Sequence, residues 1–159
     1  MKELRFDPDN AEAIEQMRKL PALALLDERQ VAEVVRVSKL RKYEPGETII
    51  QEGTYDSWVY FLVQGEVGIV HRGLELGRLR RLGDVFGEMG IIDGSPRSAT
   101  VTALAPTVCL GMDASIFDRL KDQDRVAVQA AFYKVFCEIL AARLREMDRK
   151  MAECSQQRG

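Results

Sequence analysis

The sequence predicts a mainly β domain with flanking helices: a small antiparallel sandwich, roll or barrel, N-terminal helices before it and one long helix after it. Between Leu40 and Met112, short β-branched and aromatic runs alternate with turn signals at Pro45–Gly46, Gly53, Gln64–Gly65, Gly73, Gly77, Gly83 and Gly94. From Asp124 to Glu153 there is neither Gly nor Pro, and apolar residues recur at helical spacing. At 159 residues the chain is long enough for one domain with a real core.

Residues 9–37 read as helical. Asp7 before Pro8 makes a helix start with proline in the first turn, and Ile14, Met17 and Arg18 follow at helical spacing. Pro21 is expected to end that helix. Asp27, with Gln30 three residues on, is a capping box for a second helix with an apolar stripe of Val31, Val34 and Val35. Strands are expected at 40–43, 47–51, 57–63, 66–72, 74–81, 99–104 and 107–112, with Gln64–Gly65 as a tight hairpin turn. The Trp58 run is expected at the core or its edge.

The last third is helical from Asp113. One stripe runs Val126, Ala130, Tyr133, Cys137, Leu140, Leu144, Met147, Met151, Cys154, in steps that alternate four and three without a break. That is a coiled-coil seam. A second stripe, Val128, Phe132, Val135, Phe136 and Ile139, covers only the first half. A helix apolar on two faces early and one face late needs two partners: its own β domain, and a second copy of the chain through the seam. A single wide buried face is the plainer alternative. The segments are therefore 1–39 (N-terminal helices), 40–112 (β domain), 113–154 (helical, with the dimer seam) and 155–159 (frayed tail).

Composition excludes several classes. The chain is 46% apolar and 30% charged, with net charge −2 from 23 basic and 25 acidic residues, so no basic field attracts nucleic acid. Apolar runs such as Trp58 to Val63 fall far short of the roughly 20 residues of a membrane span. The start, MKELRFDPDN, lacks an apolar signal core, and a cytoplasmic location is expected. Cys109, Cys137 and Cys154 form no metal pattern, and His71 is the single histidine. No metal, cofactor or catalytic residue is expected, and an enzyme is the least supported class. His71 is expected at a strand end, and Cys154 as a free thiol able to cross-link a dimer on oxidation. Arg78, Arg80 and Arg81 read as a solvated strand face, with Arg78 and Arg80 on the same side.

The stretch Phe86 to Thr100, FGEMGIIDGSPRSAT, carries the chemistry. A glycine permits close backbone approach to an anion, and a helix start favours negative charge. Arg97 offers a planar fork for a phosphate, with Pro96 stiffening the loop ahead of it. Glu88 repels a phosphate, and makes sense only if the ligand also carries hydroxyl donors, as a ribose does. Glu88 could alternatively cap a helix or pair with Arg97 in the empty state.

These features resemble the cyclic nucleotide-binding domain family, which includes catabolite-activator-type regulators, kinase regulatory subunits and gated channels. The resemblance runs from about Leu20 to Leu144. It rests on YEPGETIIQEG (43–53), similar to an early strand-turn-strand; on YFLVQGEVGIV (60–70), similar to a central hairpin; and on 86–100, similar to a phosphate-binding cassette. It implies an antiparallel β-roll of jelly-roll type with N-terminal helices and a mobile C-terminal helix. It further implies a cyclic-nucleotide ligand, with cAMP placed ahead of cGMP. The implied binding residues are Phe86, Gly87, Glu88, Met89, Arg97, Ser98 and Ala99: Gly87 and the following amides on the cyclic phosphate, Glu88 on the ribose 2′-OH, Arg97 on the exocyclic oxygens, Ser98 and the Ala99 amide beside them.

The base contacts depart from the family. In catabolite-activator-type dimers the long helix offers hydroxyl residues where this chain has Met147 and Asp148, so these, with Arg78, are candidate base contacts, and a cyclic dinucleotide stays open. Ser98 leaves cGMP open. The expected function is a sensor that signals by repacking its C-terminal helix, in partnership with an effector protein and without a DNA-binding segment of its own. The alternative is a dimerising scaffold with a vestigial pocket.

Overall fold

The computed structural model describes residues 1–4, 7 and 11–156; the expected helix start at Pro8 lies outside them. Three helices come first, α1 (Ala11–Met17), α2 (Pro21–Ala24) and α3 (Glu28–Val37), after a short strand β1 (Lys2–Leu4). Pro21 opens α2 rather than closing α1, consistent with its fixed φ and missing N–H at a first helical position. The capping box forms as expected: Asp27 Oδ1 accepts from the Gln30 amide at 2.8 Å, and Gln30 Oε1 accepts from the Asp27 amide at 3.1 Å.

Eight further strands follow: β2 (Ser38–Tyr43), β3 (Thr48–Ile50), β4 (Trp58–Gln64), β5 (Val67–His71), β6 (Leu74–Leu79), β7 (Val85–Phe86), β8 (Thr100–Ala103) and β9 (Thr107–Asp113). They make two antiparallel sheets, ordered β1-β2-β9-β4-β7 and β3-β8-β5-β6. The short strands β1 and β7 lay outside the expected set. Helix α4 (Glu88–Asp93) sits between β7 and β8. A 3₁₀ turn (Ala114–Asp118) and the 35-residue α5 (Asp122–Gln156) end the chain.

The turn at Gln64–Gly65 is not a hairpin. β4 and β5 belong to different sheets, so this turn carries the chain from one sheet to the other. Gly65 crosses against β9, where a Cβ would fall within 2.7 Å of Thr107 Oγ1 and of the Pro106 carbonyl oxygen. The hairpin lies one strand later, at Arg72–Gly73 between β5 and β6. β6 ends at Leu79, so Arg80 lies just past the strand, yet Arg78, Arg80 and Arg81 line one surface pocket with Asp84, whose Oδ2 accepts from the Arg80 and Arg81 amides.

Two apolar layers hold the domain. One lies between the sheets: Tyr43, Ile50, Tyr60, Leu62, Val67, Phe86, Val101, Ala103 and Cys109, with Trp58 partly buried at its edge. The other lies between the five-stranded sheet and the helices, joining Val59 and Phe61 of β4 to Leu23, Val31, Val35, Val128, Phe132 and Phe136. β4 is buried on both faces, which is why it reads as a continuous apolar run. Phe132 sits edge-on to Phe61, Phe117 and Phe136.

Helix α5 is two-faced. Val128, Phe132, Val135 and Phe136 are buried and Ile139 packs against them, whereas Val126, Tyr133, Cys137, Leu144, Met147, Met151 and Cys154 are exposed. Beyond Leu144 every described residue of α5 is exposed. The helix also runs two residues into the tail expected to fray, where Ser155 Oγ donates to the Met151 carbonyl at 3.0 Å.

Candidate functional site

The 86–100 stretch folds as a strand end, a short helix and a loop. Phe86 is buried on β7 and stacks on Tyr60 at 5.3 Å. Gly87 takes φ +85°, which only glycine adopts freely, and a Cβ there would lie 2.8 Å from Arg97 Nη1. The glycine thus admits both the turn and the arginine. Glu88 then opens α4, one of two buried ionic side chains in the stretch, at 1% exposure.

The other is Arg97, at 4% exposure. Each nitrogen of its guanidinium has a partner within the chain. Nη1 donates to the Gly87 carbonyl at 2.6 Å, Nε to Asp56 Oδ2 at 3.1 Å, and Nη2 to Asp56 Oδ1 and the Trp58 carbonyl. Its backbone is clamped as well: the Arg97 amide donates to the Thr54 carbonyl and the Gly53 amide to the Arg97 carbonyl, both at 2.8 Å. The loop between β3 and β4 therefore positions this arginine.

Glu88 does not pair with Arg97. Its partner is Arg143 of α5, whose Nη1 donates to Glu88 Oε1 at 2.5 Å while Nη2 donates to the Val85 carbonyl at 2.5 Å. The Arg143 side chain is one-third exposed, so the pair joins a buried carboxylate to a cation at the rim. A buried carboxylate is tolerated only when it is paired and hydrogen-bonded, and α5 supplies that partner.

Burial opposes ionisation of Asp56, but the Arg97 guanidinium and the Trp58 amide outweigh it and hold its carboxyl below the usual range. A depressed folded pKa gives stability that is present above the unfolded value and lost as pH falls through the folded one. Asp56→Asn should therefore be less stable than the parent near neutral pH, and the gap should close below about pH 4. Urea denaturation across that range measures it; a gap that stays constant to pH 2.5 contradicts the role of the pair.

The remaining expected residues divide into two groups. Met89, Ser98 and Ala99 gather around α4. Ser98 Oγ faces Met89 Sδ at 3.6 Å, and Ala99 is buried beneath it. His71, at the end of β5, ties this loop down: its Nδ1 lies 2.7 Å from the Ser98 carbonyl oxygen and 3.1 Å from Glu52 Oε1. Arg78, by contrast, is on exposed β6 and paired with Glu75 and Glu66. Met147 and Asp148 lie just past Arg143 on the exposed part of α5. The structure does not bring these three to the cassette within one chain.

Asp56 and Arg143 were missed from sequence. Asp56 carries no local signal, being one acid in a polar loop far from Arg97 in the chain. Arg143 does: the packed stripe Val128, Phe132, Val135, Phe136, Ile139 reaches position 143 at its next four-residue step, where an arginine interrupts the apolar series.

Residues 40–124, more than half of the chain, match the family model described as Cyclic nucleotide-binding domain. The chain belongs to that family. Among curated relatives, a cGMP-dependent protein kinase of Eimeria tenella is 32% identical over 96 residues, 60% of this chain and 10% of the kinase. A cAMP-dependent protein kinase regulatory subunit of Eremothecium gossypii is 30% identical over 104 residues, 65% of this chain and 23% of the subunit. The chain thus spans a minor part of these relatives' length. A cyclic nucleotide-binding domain from Methylobacillus flagellatus shares the fold with TM-score 0.78 at 19% identity, covering 96% of this chain and 88% of that one. Among the described residues no helix is long and apolar enough to cross a membrane.

Proposed function

We propose that this chain is a cyclic-nucleotide sensor, taking cAMP or cGMP in the 86–100 cassette and signalling through α5 without chemistry of its own. The observation that carries the reading is the pair of buried ionic groups, Glu88 and Arg97, each held by a partner from outside the cassette. A ribose 2′-hydroxyl donates to Glu88, which thereby becomes shared between ligand and Arg143. A cyclic phosphate takes N–H donors of Arg97 now spent on Asp56 and on carbonyls, and gains the amides after Gly87. Because Glu88 is also where α5 is fastened, occupancy of the cassette and the position of the helix are thermodynamically linked. The relatives include both a cGMP-dependent protein kinase and a cAMP-dependent protein kinase regulatory subunit, and Ser98 is compatible with either ligand.

The exposed seam of α5 supports pairing with a second copy, and the output belongs to an effector protein in the cytoplasm. Isothermal titration with cAMP, cGMP and cyclic dinucleotides tests the reading. Stoichiometric binding of one cyclic mononucleotide, with a raised Tm at saturation, is the expected result. Absence of binding by all of them overturns it in favour of the scaffold.

A further inference from the structure

The seam assigns a heptad position to every residue of α5. Its alternating steps place Val126, Tyr133, Leu140, Met147 and Cys154 at d and Ala130, Cys137, Leu144 and Met151 at a. Arg143 then falls at g, and Asp148, five residues on, at e of the next heptad. In a parallel, in-register pair of helices a g residue faces the e residue five positions further along the other helix. Arg143 and Asp148 are such a pair, and their charges are opposite.

Neither side chain is fully used within its own chain. Asp148 is exposed and has no hydrogen-bond or ion-pair partner among the described residues, whereas its acidic neighbours Glu146 and Glu153 are both paired with Arg149. Arg143 uses only part of its donor set, one N–H to Glu88 and one to the Val85 carbonyl, out of the five a guanidinium carries. The arginine can hold Glu88 with one edge and receive a second carboxylate on another.

The dimer itself is the one read from the seam above; we propose that its two α5 helices run parallel in register and that Asp148 of each copy binds Arg143 of the other. Arg143 is then a three-way junction between the buried Glu88 of its own roll, its own helix and the acid of the second chain, which makes the second copy part of the site. Dimerisation and occupancy of the cassette act on one guanidinium, and each changes the other's equilibrium by the same factor. This deepens the sensor reading and rests on it for the ligand, although the contact itself is made without one.

Sedimentation equilibrium on ligand-free protein tests it. Asp148→Lys sets two like-charge pairs in the dimer and is expected to raise the dimer Kd about tenfold or more, less so at high salt. Asp148→Asn is expected to raise it about two- to fivefold. Position 148 is exposed, so thermal unfolding confirms that both variants fold. An Asp148→Lys dimer as tight as the parent overturns the contact, and so does a parent that is monomeric at every concentration.

The register is read from thiols. Cys109 is buried, its thiol pushed up to about 12, so Cys137→Ser leaves Cys154 as the reactive thiol. Mild oxidation should then give a covalent dimer through Cys154. A dimer that forms but does not cross-link is not parallel, and overturns the proposal while leaving the seam. Titration of the parent with cAMP and cGMP reports separately on the ligand reading.

Discussion

Arg97→Ala is expected to weaken cyclic-nucleotide binding by about 30-fold to several thousand-fold, because losing one member of a desolvated charge pair costs about 2–5 kcal/mol. The geometry adds a second cost, in the empty protein. Arg97 supplies donors to the Gly87 and Trp58 carbonyls and to Asp56, from a side chain with almost no contact with water. Stranding a buried acceptor costs about 1–3 kcal/mol, so the alanine variant should also unfold more easily. Arg97→Lys separates the two effects. A lysine keeps the charge but not the planar fork, and should retain more of the fold than of the affinity. Calorimetry and urea denaturation on both variants give the comparison, and unchanged affinity in Arg97→Ala would sink the site assignment.

The second large effect is at Arg143. Arg143→Ala leaves Glu88 at 1% exposure with its α5 partner gone. Removing one partner of a buried ion pair costs about 3 kcal/mol, at the low end of its range here because the arginine reaches solvent. For a chain of this size that is a fall in Tm of about 6–12 °C. Adding Glu88→Gln to the variant should recover part of the loss, because an amide does not need a cation; the two changes are then non-additive. A loss under about 0.5 kcal/mol, with simple additivity, would show that α5 is held to the roll by its apolar face alone.

Which parts of this were legible depends on the range of the interaction. Helix caps, strand runs and the two stripes of α5 are local patterns, and Asp27–Gln30, β4 and the packed series Val128 to Ile139 appear where the sequence puts them. Gln64–Gly65 shows the limit. A glycine turn between two apolar strands has the same local signature whether the strands pair or part; here they part into different sheets, with Gly65 packed against Thr107. The same holds in the site. Glu88 and Arg97 stand out because a fixed spacing ties them to Gly87, but their partners do not. Asp56 and Arg143 lie 41 and 55 positions from the groups they bind, and nothing short of the folded chain pairs them.

The bare end of α5 has a mechanical meaning. Residues 144–156 extend about 20 Å past the last attachment of the helix to the roll, at 1.5 Å per residue. With its pivot at Arg143, a tilt of only about 10° sweeps Gln156 through about 3–4 Å, more than the length of a hydrogen bond. In the sensor proposed above, a small tilt at Arg143 would thus be magnified at the tip into a displacement that an effector protein could register. The rod is long enough to turn a change of one carboxylate's company into motion.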